Sequence, residues 1–408
     1  MKKVPRLRFR GFSEDWELCK LGRIFDVHTD FVSNGSFQSL KNNVRFYNDE
    51  NYAYMIRLQD ASNNWRGPWL YTDKHGFDFL KKSTVYENDI LMSDRGTIGK
   101  FFLVPKLDRP MTLSSNAVLL RSSNCNNNFI YYMLNTIDIG NQIKKRTTPG
   151  VQPMISKTEF KKIITKLPVR EEQKKIGDFL KKIDETFTLH QRKFDQLKKL
   201  KKAYLQAMFV SMNTKNNKVP KLRFTDFEGD WELCKLGEVF DFKQGVQVPV
   251  EEQFTTLEEG MQRFIRIVDL TTDEEPPRYI KYDSDNLVSE SDLFMVRYGA
   301  VGVIGLGYEG VIANNLFKLI PRIVVDEKFS YHQLIKNKDK IISLSSSTTM
   351  PALSFKTLKN LSFSVPSVGE QKQIGSFFAN LDNLITLHQN KLEQLNELKK
   401  SYLQNMFI

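Results

Sequence analysis

The 408-residue sequence contains only three cysteines and no long hydrophobic run. Cys19, Cys125 and Cys234 are too few and too scattered for a disulfide framework or a paired-cysteine zinc clip. No stretch approaches 18 consecutive apolar residues, and no apolar core follows the charged residues at the start. Neither a membrane-spanning helix nor a secretory signal is therefore expected, and the simplest expectation is a reduced, cytoplasmic protein.

Sequence motifs that carry catalysis in several enzyme classes are also missing. There is no GxxxxGK[ST] phosphate loop, no HExxH zinc motif and no Asn/Asp-Pro-Pro-Tyr/Phe tetrapeptide of adenine-N6 methyltransferases. The five histidines form no recognisable nucleophile–base pair, and no cluster of carboxylates with a lysine indicates a nuclease. We therefore expect a chain that is not an enzyme by itself and that binds no metal or cofactor.

One glycine-rich segment, from Gly305 to Gly310, formally fits the dinucleotide-binding pattern GxGxxG. A dinucleotide site needs a helix that begins at this segment. Here an apolar run follows from Val311, and Pro321 comes shortly after it. The sequence therefore favours a turn between two strands over a nucleotide site.

Basic residues are concentrated in the first half of the chain. The formal net charge is +12, with +15 on residues 1–210 and −3 on residues 211–408. An excess of Lys and Arg attracts polyanions, chiefly nucleic acid in a cytoplasm. Charge alone leaves open the alternative of a basic surface without a specific partner.

The chain consists of two copies of one unit. Residues 3–27 and 218–242 are identical at about 17 of 25 positions, with a constant offset of 215. Residues 172–209 and 370–407 are identical at about 22 of 38 positions, with an offset of 198. Each copy of about 190–210 residues therefore has a fixed beginning and a fixed end.

The middle of each copy is variable. Arg95–Gly99 corresponds to Tyr298–Gly302 at an offset of 203, and Asn116 corresponds to Asn315 at an offset of 199. Most of the length difference therefore lies between residues 27 and 95. Variable segments on a constant framework are common places for binding functions, although drift after duplication also produces variation.

The fixed end of each copy has the periodicity of a long amphipathic helix. Apolar residues recur in alternating steps of four and three, which is typical of a coiled-coil seam. About 33 helical residues at about 1.5 Å each give a rod of roughly 50 Å. Because one such helix is unstable alone, we expect the two copies to pair antiparallel. The expected helix-pair interface comprises Ile176, Leu180, Ile183, Phe187, Phe194, Leu197, Ile374, Phe378, Leu381, Ile385, Leu392 and Leu395.

Several polar residues near these features have alternative interpretations. His190 and His388 lie at matched positions on the apolar stripe, and a polar notch that fixes helix register is favoured over a metal site. Cys19 and Cys234 alternate with apolar residues, so packing is favoured over a nucleophilic role. The lysine-rich run 198–202 is interpreted as a solvated helix face, with phosphate contact as the alternative.

The variable regions are predicted to be mostly β-structure with a few helices. Short apolar segments flanked by Gly, Asn, Asp or Pro predict strands over 52–58, 89–92, 101–104 and 117–120, and over 264–268, 293–296, 301–304 and 316–320. Helices are expected at 129–134 and 331–334. The predicted fold class is α+β. It comprises two globules of mixed β-sheet with helices, separated by two long antiparallel coiled-coil helices in a pseudo-two-fold repeat.

The duplicated blocks resemble the specificity (S) subunit of type I restriction–modification systems. The resemblance covers essentially the whole chain, and the order of the blocks is more specific than any one of them. The blocks are Val4-Pro5-x-Leu7-Arg8-Phe9, Trp16-Glu17, Leu21-Gly22 and their copies in 219–237, with Gly96-Thr97-Ile98-Gly99, Leu167-Pro168-Val169, Glu172-Gln173-x-x-Ile176, Val365-Pro366 and Glu370-Gln371-x-x-Ile374.

This resemblance implies a function and a division of the chain. In the family, two target-recognition domains each bind one half of a split, asymmetric DNA sequence. Two conserved helices hold them apart and dock two methyltransferase (M) subunits, and a restriction–translocase (R) subunit joins for cleavage. The chain would thus be a non-catalytic specificity subunit that positions adenine-N6 methyltransferase and restriction subunits, with S-adenosylmethionine and ATP–Mg on those partners only. Its implied segments are recognition domains 1–168 and 213–366 and spacer helices 169–212 and 367–408.

Residue type selects candidate DNA contacts in the variable regions. Lys and Arg bind phosphates, whereas Arg, Asn, Gln, Ser and Thr are common base-contacting residues. Two Thr-Thr loops stand at equivalent places before the fixed helices. The candidates are Arg57, Gln59, Asn63, Asn64, Arg66, Arg95, Lys144, Lys145, Arg146, Thr147 and Thr148 in the first copy, and Arg263, Arg266, Arg297, Tyr298, Ser345, Ser346, Ser347, Thr348 and Thr349 in the second. A solvated surface role is the alternative for each.

Two other classes of protein fit the same sequence features. One is a stand-alone sequence-specific DNA-binding protein, either a repressor or an architectural protein. The other is a recognition module whose catalytic fusion partner is missing. Co-purification with methyltransferase chains separates these alternatives from a specificity subunit.

Overall fold

The computed structural model describes residues 4–115, 117–210, 218–272, 274–284, 286–346 and 351–407. Backbone contacts divide the chain into two compact units. The first unit comprises Met1–His190 with Lys391–Ile408, and the second comprises Gln191–Asn390. Each unit therefore combines one variable region with the beginning of one fixed helix and the end of the other.

The first copy contains short strands and helices followed by one long helix. In chain order these are β1 (Glu17–Lys20), α1 (Leu21–Ile24), β2 (Val27–Asp30), α2 (Phe37–Asn43), β3 (Ala53–Ile56), α3 (Leu58–Ser62), β4 (Tyr71–Thr72), α4 (Lys74–Phe79), β5 (Thr84–Val85), β6 (Ile90–Met92), β7 (Phe101–Leu103), β8 (Met111–Leu113), β9 (Val118–Arg121), α5 (Asn127–Leu134), α6 (Ile137–Arg146), α7 (Lys157–Lys161), β10 (Ile164–Leu167) and α8 (Arg170–Ala207).

Two four-stranded sheets form the variable region of the first unit. Their strand orders are β2-β9-β6-β7 and β4-β3-β8-β5. The pairs are antiparallel except that β3 runs parallel to β8. Strands such as β6 are buried on both faces, and Leu91 and Leu119 lie opposite each other in the core. Burial on both faces explains why these strands appear in the sequence as short, wholly apolar runs.

The second copy repeats this plan with fewer elements. They are β11 (Glu232–Lys235), α9 (Leu236–Val239), β12 (Phe240–Gln244), β13 (Met261–Ile265), α10 (Val268–Thr271), β14 (Arg278–Lys281), β15 (Leu293–Val296), β16 (Ile304–Gly305), β17 (Val311–Ile312), β18 (Leu316–Pro321), α11 (Glu327–Lys336), α12 (Lys338–Ser343), α13 (Phe355–Lys359), β19 (Ser362–Val365) and α14 (Val368–Asn405). The sheets have the orders β12-β18-β15-β16 and β14-β13-β17, and β13 is parallel to β17.

The length difference between the copies is explained by α2 and α4. These two helices contact each other, and His75 Nε2 lies 3.2 Å from Asn43 Oδ1. The Tyr47 hydroxyl donates a hydrogen bond to Asp73, which caps α4. The described residues of the second copy contain no α-helix between β12 and β13 or between β14 and β15. The first unit thus has an additional helical layer beside its second sheet.

The glycine-rich part of the second copy differs from one predicted strand. The prediction of a strand over 301–304 is largely wrong, because Val301 and Gly302 form a turn and β16 contains only Ile304 and Gly305. Gly302 has a φ of +80°, which an extended strand does not allow. The segment from Gly305 to Gly310 starts at the last residue of β16 and leads to β17, and no helix begins there, as the sequence predicts.

The fixed beginning and the fixed end of each copy pair with each other. β1 is antiparallel to β10, and β11 is antiparallel to β19. Cys19 lies opposite Thr165, and Cys234 lies opposite Phe363. Both cysteines pack against the hydrophobic core of their unit, and burial raises the pKa of both thiols. These features support a packing role rather than a nucleophilic one.

A buried ion pair joins the same two ends. The Arg8 guanidinium donates two hydrogen bonds of 2.7 Å to the carboxylate of Glu172, which is fully buried at the start of α8. Arg223 and Glu370 make the same bidentate pair in the second unit, at 2.8 and 2.7 Å. The repeated Arg and Glu therefore fix the N-terminal arm of each copy to its long helix.

The glutamine that follows each glutamate connects the long helix to the variable region. Gln173 Oε1 accepts a hydrogen bond from the Asn126 N–H, at the start of α5, while its Nε2 donates to the Pro168 carbonyl. Gln371 makes the corresponding bonds with Asp326 and Pro366. This repeated Glu-Gln pair is thus a structural joint.

The helices α8 and α14 each contain 38 residues and begin within two residues of Pro168 and Pro366. In the first unit, the rings of Phe179 and Tyr402 meet edge to face at 4.8 Å, whereas Asp184 pairs with Lys399. Residue numbers therefore rise on α8 as they fall on α14. Tyr204 with Phe377 and Lys201 with Asp382 show the same order in the second unit. The predicted antiparallel packing is confirmed.

The predicted helix-interface residues are divided between two hydrophobic cores. Ile176, Leu180, Ile183 and Leu395 are buried in the core of the first unit, and Phe187 packs against it. Leu197, Ile374, Phe378 and Leu381 are buried in the core of the second unit, and Ile385 packs against it. Leu392 is buried, whereas Phe194 is half-buried beneath the Lys198 ammonium group. None of the helices in the described part of the chain combines the length and apolarity that a bilayer-spanning helix requires.

Candidate nucleic-acid interface

One edge of the sheets in the first unit collects the ends of four strands. The last residue of β2, Asp30, and the last residue of β6, Met92, both lie opposite Val118. The Ser114 N–H donates to the Ile56 carbonyl, so β3 and β8 end at the same edge. This edge, which we call the first recognition edge, is followed in sequence by the candidates Arg57 and Arg95.

A small cleft opens at the first recognition edge. Its lining residues are Asp30, Phe31, Val32, Asp94, Arg95, Ser115, Ala117 and Val118. Asp94 is mostly buried, whereas about half of the Arg95 side chain is exposed. Asn116, which was aligned with Asn315, lies outside the described residues. The cleft thus presents carboxylates at its floor and a cation at its rim.

A second candidate segment packs beside this cleft. Arg95 and Thr148 each form a β-bridge with Met154, and the Gly96 N–H donates to the Pro153 carbonyl. Lys144, Lys145 and Arg146 form the last turn of α6, and Thr147 follows as its C-cap. The structure therefore brings Arg95 together with the predicted 144–148 segment at one surface.

Arg57 has an internal role as well as partial exposure. Its guanidinium pairs with Asp60 at 2.6 Å and donates to the Pro68 carbonyl. Arg266, at the corresponding end of β13, pairs with Asp269 and with Glu275. The shared pattern Ile-Arg-x-x-Asp is a repeated landmark that the sequence comparison missed. Each arginine anchors the end of a strand in its own unit, and its side chain stays partly exposed.

The remaining candidates near Arg57 lie in the segment that follows β3. Gln59, Asn63, Asn64 and Arg66 are exposed. Asn63 Nδ2 donates to the Gly67 carbonyl at 2.5 Å, so its side chain stabilises the turn. These residues lie near the first recognition edge but do not line its cleft.

The corresponding edge of the second unit is built around Arg297. This residue follows β15, and its Nε donates to the Leu353 carbonyl while Nη1 donates to Gln244 Oε1 at 2.7 Å. The guanidinium lies 4.4 Å from the centre of the Phe355 ring. Tyr298 bridges Ala352, whose carbonyl accepts from the Ser346 N–H. Arg297, Tyr298 and Ser346 therefore share one surface, the second recognition edge.

Arg263 and part of the predicted 345–349 segment do not belong to the second recognition edge as it is described above. Arg263 is in the middle of β13, with its guanidinium 5.5 Å from the Tyr308 ring, away from the strand end. Ser345 precedes Ser346 and is half-buried, with its hydroxyl donating to the Ile342 carbonyl. Ser347, Thr348 and Thr349 lie outside the described residues.

Strand register identifies residues that sequence reasoning missed. Val118 lies opposite both Asp30 and Met92, and Phe317 lies opposite both Gln244 and Met295. Asp30 therefore corresponds to Gln244. Asp94 follows Met92 by two residues and Arg297 follows Met295 by two residues, so Asp94 corresponds to Arg297. Alignment on the glycine landmark already placed Asp94 against Arg297, which was the available signal.

The same register corrects the sequence alignment at β2. The repeated sequence aligns Val27 with Phe242. In the sheets, His28 lies opposite Leu120 and Phe242 lies opposite Leu319, so His28 is the residue equivalent to Phe242. The one-residue shift lies in the connection between helix and strand: two residues separate α1 from β2, whereas β12 begins directly after α9 and one position earlier in the sheet.

No described residues form a group of three or more His, Cys, Asp or Glu side chains with the geometry of a metal site. The recognition edges instead combine arginines, hydroxyl groups, amides and, in the first unit, the carboxylates of Asp30 and Asp94. Side chains of these types contact phosphates and base edges in DNA-binding proteins. His190 and His388 are half-buried.

Comparisons with known proteins agree on one family. The family described as "Type I restriction modification DNA specificity domain" matches residues 13–199 and again residues 228–397. The MjaVIII type I restriction enzyme specificity subunit of Methanocaldococcus jannaschii is 25% identical over 416 residues, with 95% of this chain and 91% of the relative covered. The EcoBI type I restriction enzyme specificity subunit of Escherichia coli is 21% identical over 354 residues, with coverage of 79% and 73%.

A solved structure shows the same fold. The crystal structure of the type I restriction–modification S subunit from M. genitalium superposes with a TM-score of 0.65 at 16% identity, and 99% of each chain is covered. The two matched domains, the duplicated recognition edges and the paired helices lead to one conclusion. The chain belongs to the type I restriction modification DNA specificity domain family and is the non-catalytic DNA specificity subunit of such a system.

Proposed function

We propose that each variable region binds one half of a bipartite, asymmetric DNA sequence, and that the long helices set the unread gap. The observation that carries this proposal is the contrast within each unit. Identical framework contacts, such as Arg8 with Glu172 and Arg223 with Glu370, support edges that carry different side chains. Asp94 in one unit and Arg297 in the other require different base edges.

The partners of the chain follow from its family. It is part of a type I restriction–modification assembly, whose other components are methyltransferase (M) and restriction (R) subunits and DNA. We propose that two M subunits dock on the spacer helices 169–212 and 367–408, next to recognition domains 1–168 and 213–366. S-adenosylmethionine and ATP–Mg then bind to those partners and not to this chain. The partners methylate adenine N6 and cleave the DNA. The expected place of action is the cytoplasm, where the DNA and both small molecules occur.

An exchange of recognition regions tests this function. Residues 28–165 begin after β1 and end at Thr165, within β10. Replacing them therefore keeps β1, the end of β10 and the Arg8–Glu172 ion pair. Sequencing of methylated adenines in cells that carry the chimera and the M subunit should show one altered half-site and one unchanged half-site. Alteration of both halves would contradict modular recognition. A chain that purifies without methyltransferase subunits and leaves methylation unchanged would favour a stand-alone DNA-binding protein.

A further inference from the structure

The cleft of the first recognition edge offers acceptors that the protein leaves largely unused. Asp30 Oδ1 accepts from the Ser33 N–H and hydroxyl. Arg95 Nε lies 3.4 Å from Asp94 Oδ1, which is long for a charge-assisted hydrogen bond. Among the described residues, the second carboxylate oxygen of Asp94 has no hydrogen-bond partner. Deprotonated carboxylates only accept hydrogen bonds, so a ligand at this site must donate.

A buried histidine next to the same carboxylates is independent evidence of a missing ligand. His28 is 8% exposed, and its Nδ1 has no hydrogen-bond partner among the described residues. It lines a hollow that shares Asp30, Asp94 and Val118 with the cleft. Polar atoms buried to this degree are nearly always paired in folded proteins. Carboxylates and an unpaired ring nitrogen therefore meet at one cavity.

The second unit has the opposite chemistry at equivalent positions. Phe242, Gln244, Arg297 and Phe355 stand where the first unit has His28, Asp30, Asp94 and Lys157. The match of Phe355 with Lys157 follows from the backbone. The Leu353 N–H donates to the Arg297 carbonyl as the Ile155 N–H donates to the Asp94 carbonyl, and Phe355 and Lys157 each come two residues later. Stacking on Phe355 and the bond to Gln244 fix the Arg297 guanidinium, and its Nη2 has no acceptor among the described residues. A fixed guanidinium with free N–H groups is ready for an acceptor ligand.

We propose that these equivalent positions each select one base in their half-site, by opposite hydrogen-bond polarity. Asp30 and Asp94 accept from the exocyclic amino group of a cytosine or adenine in the major groove, and Arg297 donates to N7 and O6 of a guanine. The inference rests on the proposed function, because it requires that each unit contacts one half-site. It adds which residues select and which base classes they take.

Base analogues test the inference on the unmodified protein. The methylated motif is first determined for cells with the wild-type chain and its M subunits. The purified complex then binds duplexes in which one cytosine or adenine of the first half-site lacks its amino group, or one guanine of the second half-site is 7-deazaguanine. Loss of one hydrogen-bonded contact should weaken binding by about ten- to a hundredfold at one position in each half-site. Uniform tolerance of the amino-deleted duplexes in the first half-site would overturn the role of the carboxylates.

Variants connect each position to its residue. Asp94→Asn keeps one acceptor and adds donors, so the selected position should also admit thymine or guanine while the second half-site stays unchanged. Arg297→Met keeps an apolar chain over Phe355 and should remove the sensitivity to 7-deazaguanine. Asp49→Asn, at an exposed carboxylate of the first unit, is the matched control and should change nothing.

The possible outcomes separate the inference from the proposed function. If no motif depends on the wild-type chain, the proposed function fails. If a bipartite motif is found and Asp94→Asn leaves it unchanged or alters the other half, only the inference fails. Thermal unfolding identifies an Asp94→Asn chain that has not folded, and the analogue series on the wild-type complex then decides.

Discussion

Lys399 on α14 forms a 2.6 Å ion pair with Asp184 on α8, and Asp184 also accepts a hydrogen bond from the Tyr132 hydroxyl of α5. Burial and the Asp184 charge raise the pKa of Tyr132, so this hydroxyl remains a donor at neutral pH. In the second unit, Asp382 on α14 pairs with Lys201 on α8 and with His332 on α11. Asp184 and Asp382 are equivalent residues of the two copies. Each joins both long helices to a helix of the recognition domain in its own unit.

Asp184→Asn should lower the stability of the first unit. The change removes the ion pair and weakens the acceptor of Tyr132, and a partly exposed pair of this kind contributes about 1 kcal/mol. The expected decrease in Tm is about 2–4 °C for a unit of this size. Calorimetry should show two unfolding transitions, one for each unit, with the decrease in Tm confined to the transition of the first unit. Glu185→Gln, at the exposed neighbour, is the control, and an equal shift for both variants would argue against a specific role.

Two glycines in helices should respond oppositely to alanine. A Cβ at Gly177 would lie 2.7 Å from both Asn126 Oδ1 and the Phe129 nitrogen, so Gly177→Ala must displace the start of α5 from α8. We expect a loss of about 1–3 kcal/mol. Gly140 in α6 has no atom within 4 Å of the added Cβ, and Gly140→Ala should gain up to about 1 kcal/mol from helix propensity. Denaturant midpoints measure both effects, and a neutral Gly177→Ala would refute the close-approach argument.

Stability of the first unit should fall in mild acid because of His28. Burial, with the nearby charges of Lys157 and Lys161, lowers the pKa of His28 to about 4 from a usual value near 6.5. Between these values the unfolded chain binds the proton and the folded chain does not, so stability decreases as pH falls from 6.5 through 4. The free energy of unfolding should change with pH by about 1.4 kcal/mol per pH unit where the dependence is steepest.

His28→Phe introduces the residue of the equivalent position in the second unit and should remove this slope. Urea unfolding at several pH values between 4 and 7 measures the difference between the two chains. His75→Phe, at an exposed histidine, is the matched control and should keep the wild-type slope. A slope that persists in His28→Phe would show that other groups bind the proton.

An insertion in both long helices should lengthen the unread gap. Side chains of α8 before His190 and of α14 after Asn390 pack in the first unit, and the remainder pack in the second. Four residues inserted after each of these positions add about 6 Å of helix and keep the contacts inside each unit. Methylome sequencing should show the same half-sites with a longer gap, or loss of methylation if the complex does not assemble.

The control for the insertion is the same four residues in α8 alone, which disturbs the antiparallel register and should abolish assembly. An unchanged gap with full methylation after the double insertion would contradict the spacer role of the helices.

The repeated sequence determined the fold class and the arrangement of its fixed parts. Identical blocks at constant offsets and the steps of four and three predicted two copies and two long antiparallel helices, because a wide apolar stripe must be buried. Motifs such as Arg8 and Glu172 were recognised from their repetition, although only their contact explains why they recur.

Only the tertiary structure determined which side chains meet at the recognition edges. Asp30 and Asp94 are 64 positions apart in the chain and become neighbours because β2 and β6 both pair with β9. The connection after α1 is longer than the one after α9, and β2 is shifted by one residue relative to the sequence alignment. A one-residue shift exchanges the two faces of a strand. Local sequence fixes helices and strands through periodicity, whereas strand pairing joins distant segments and leaves no local signal. The glycine landmark already aligned Asp94 with Arg297 in the sequence, but only the register of the sheets brought Asp30 to Asp94 and Gln244 to Arg297.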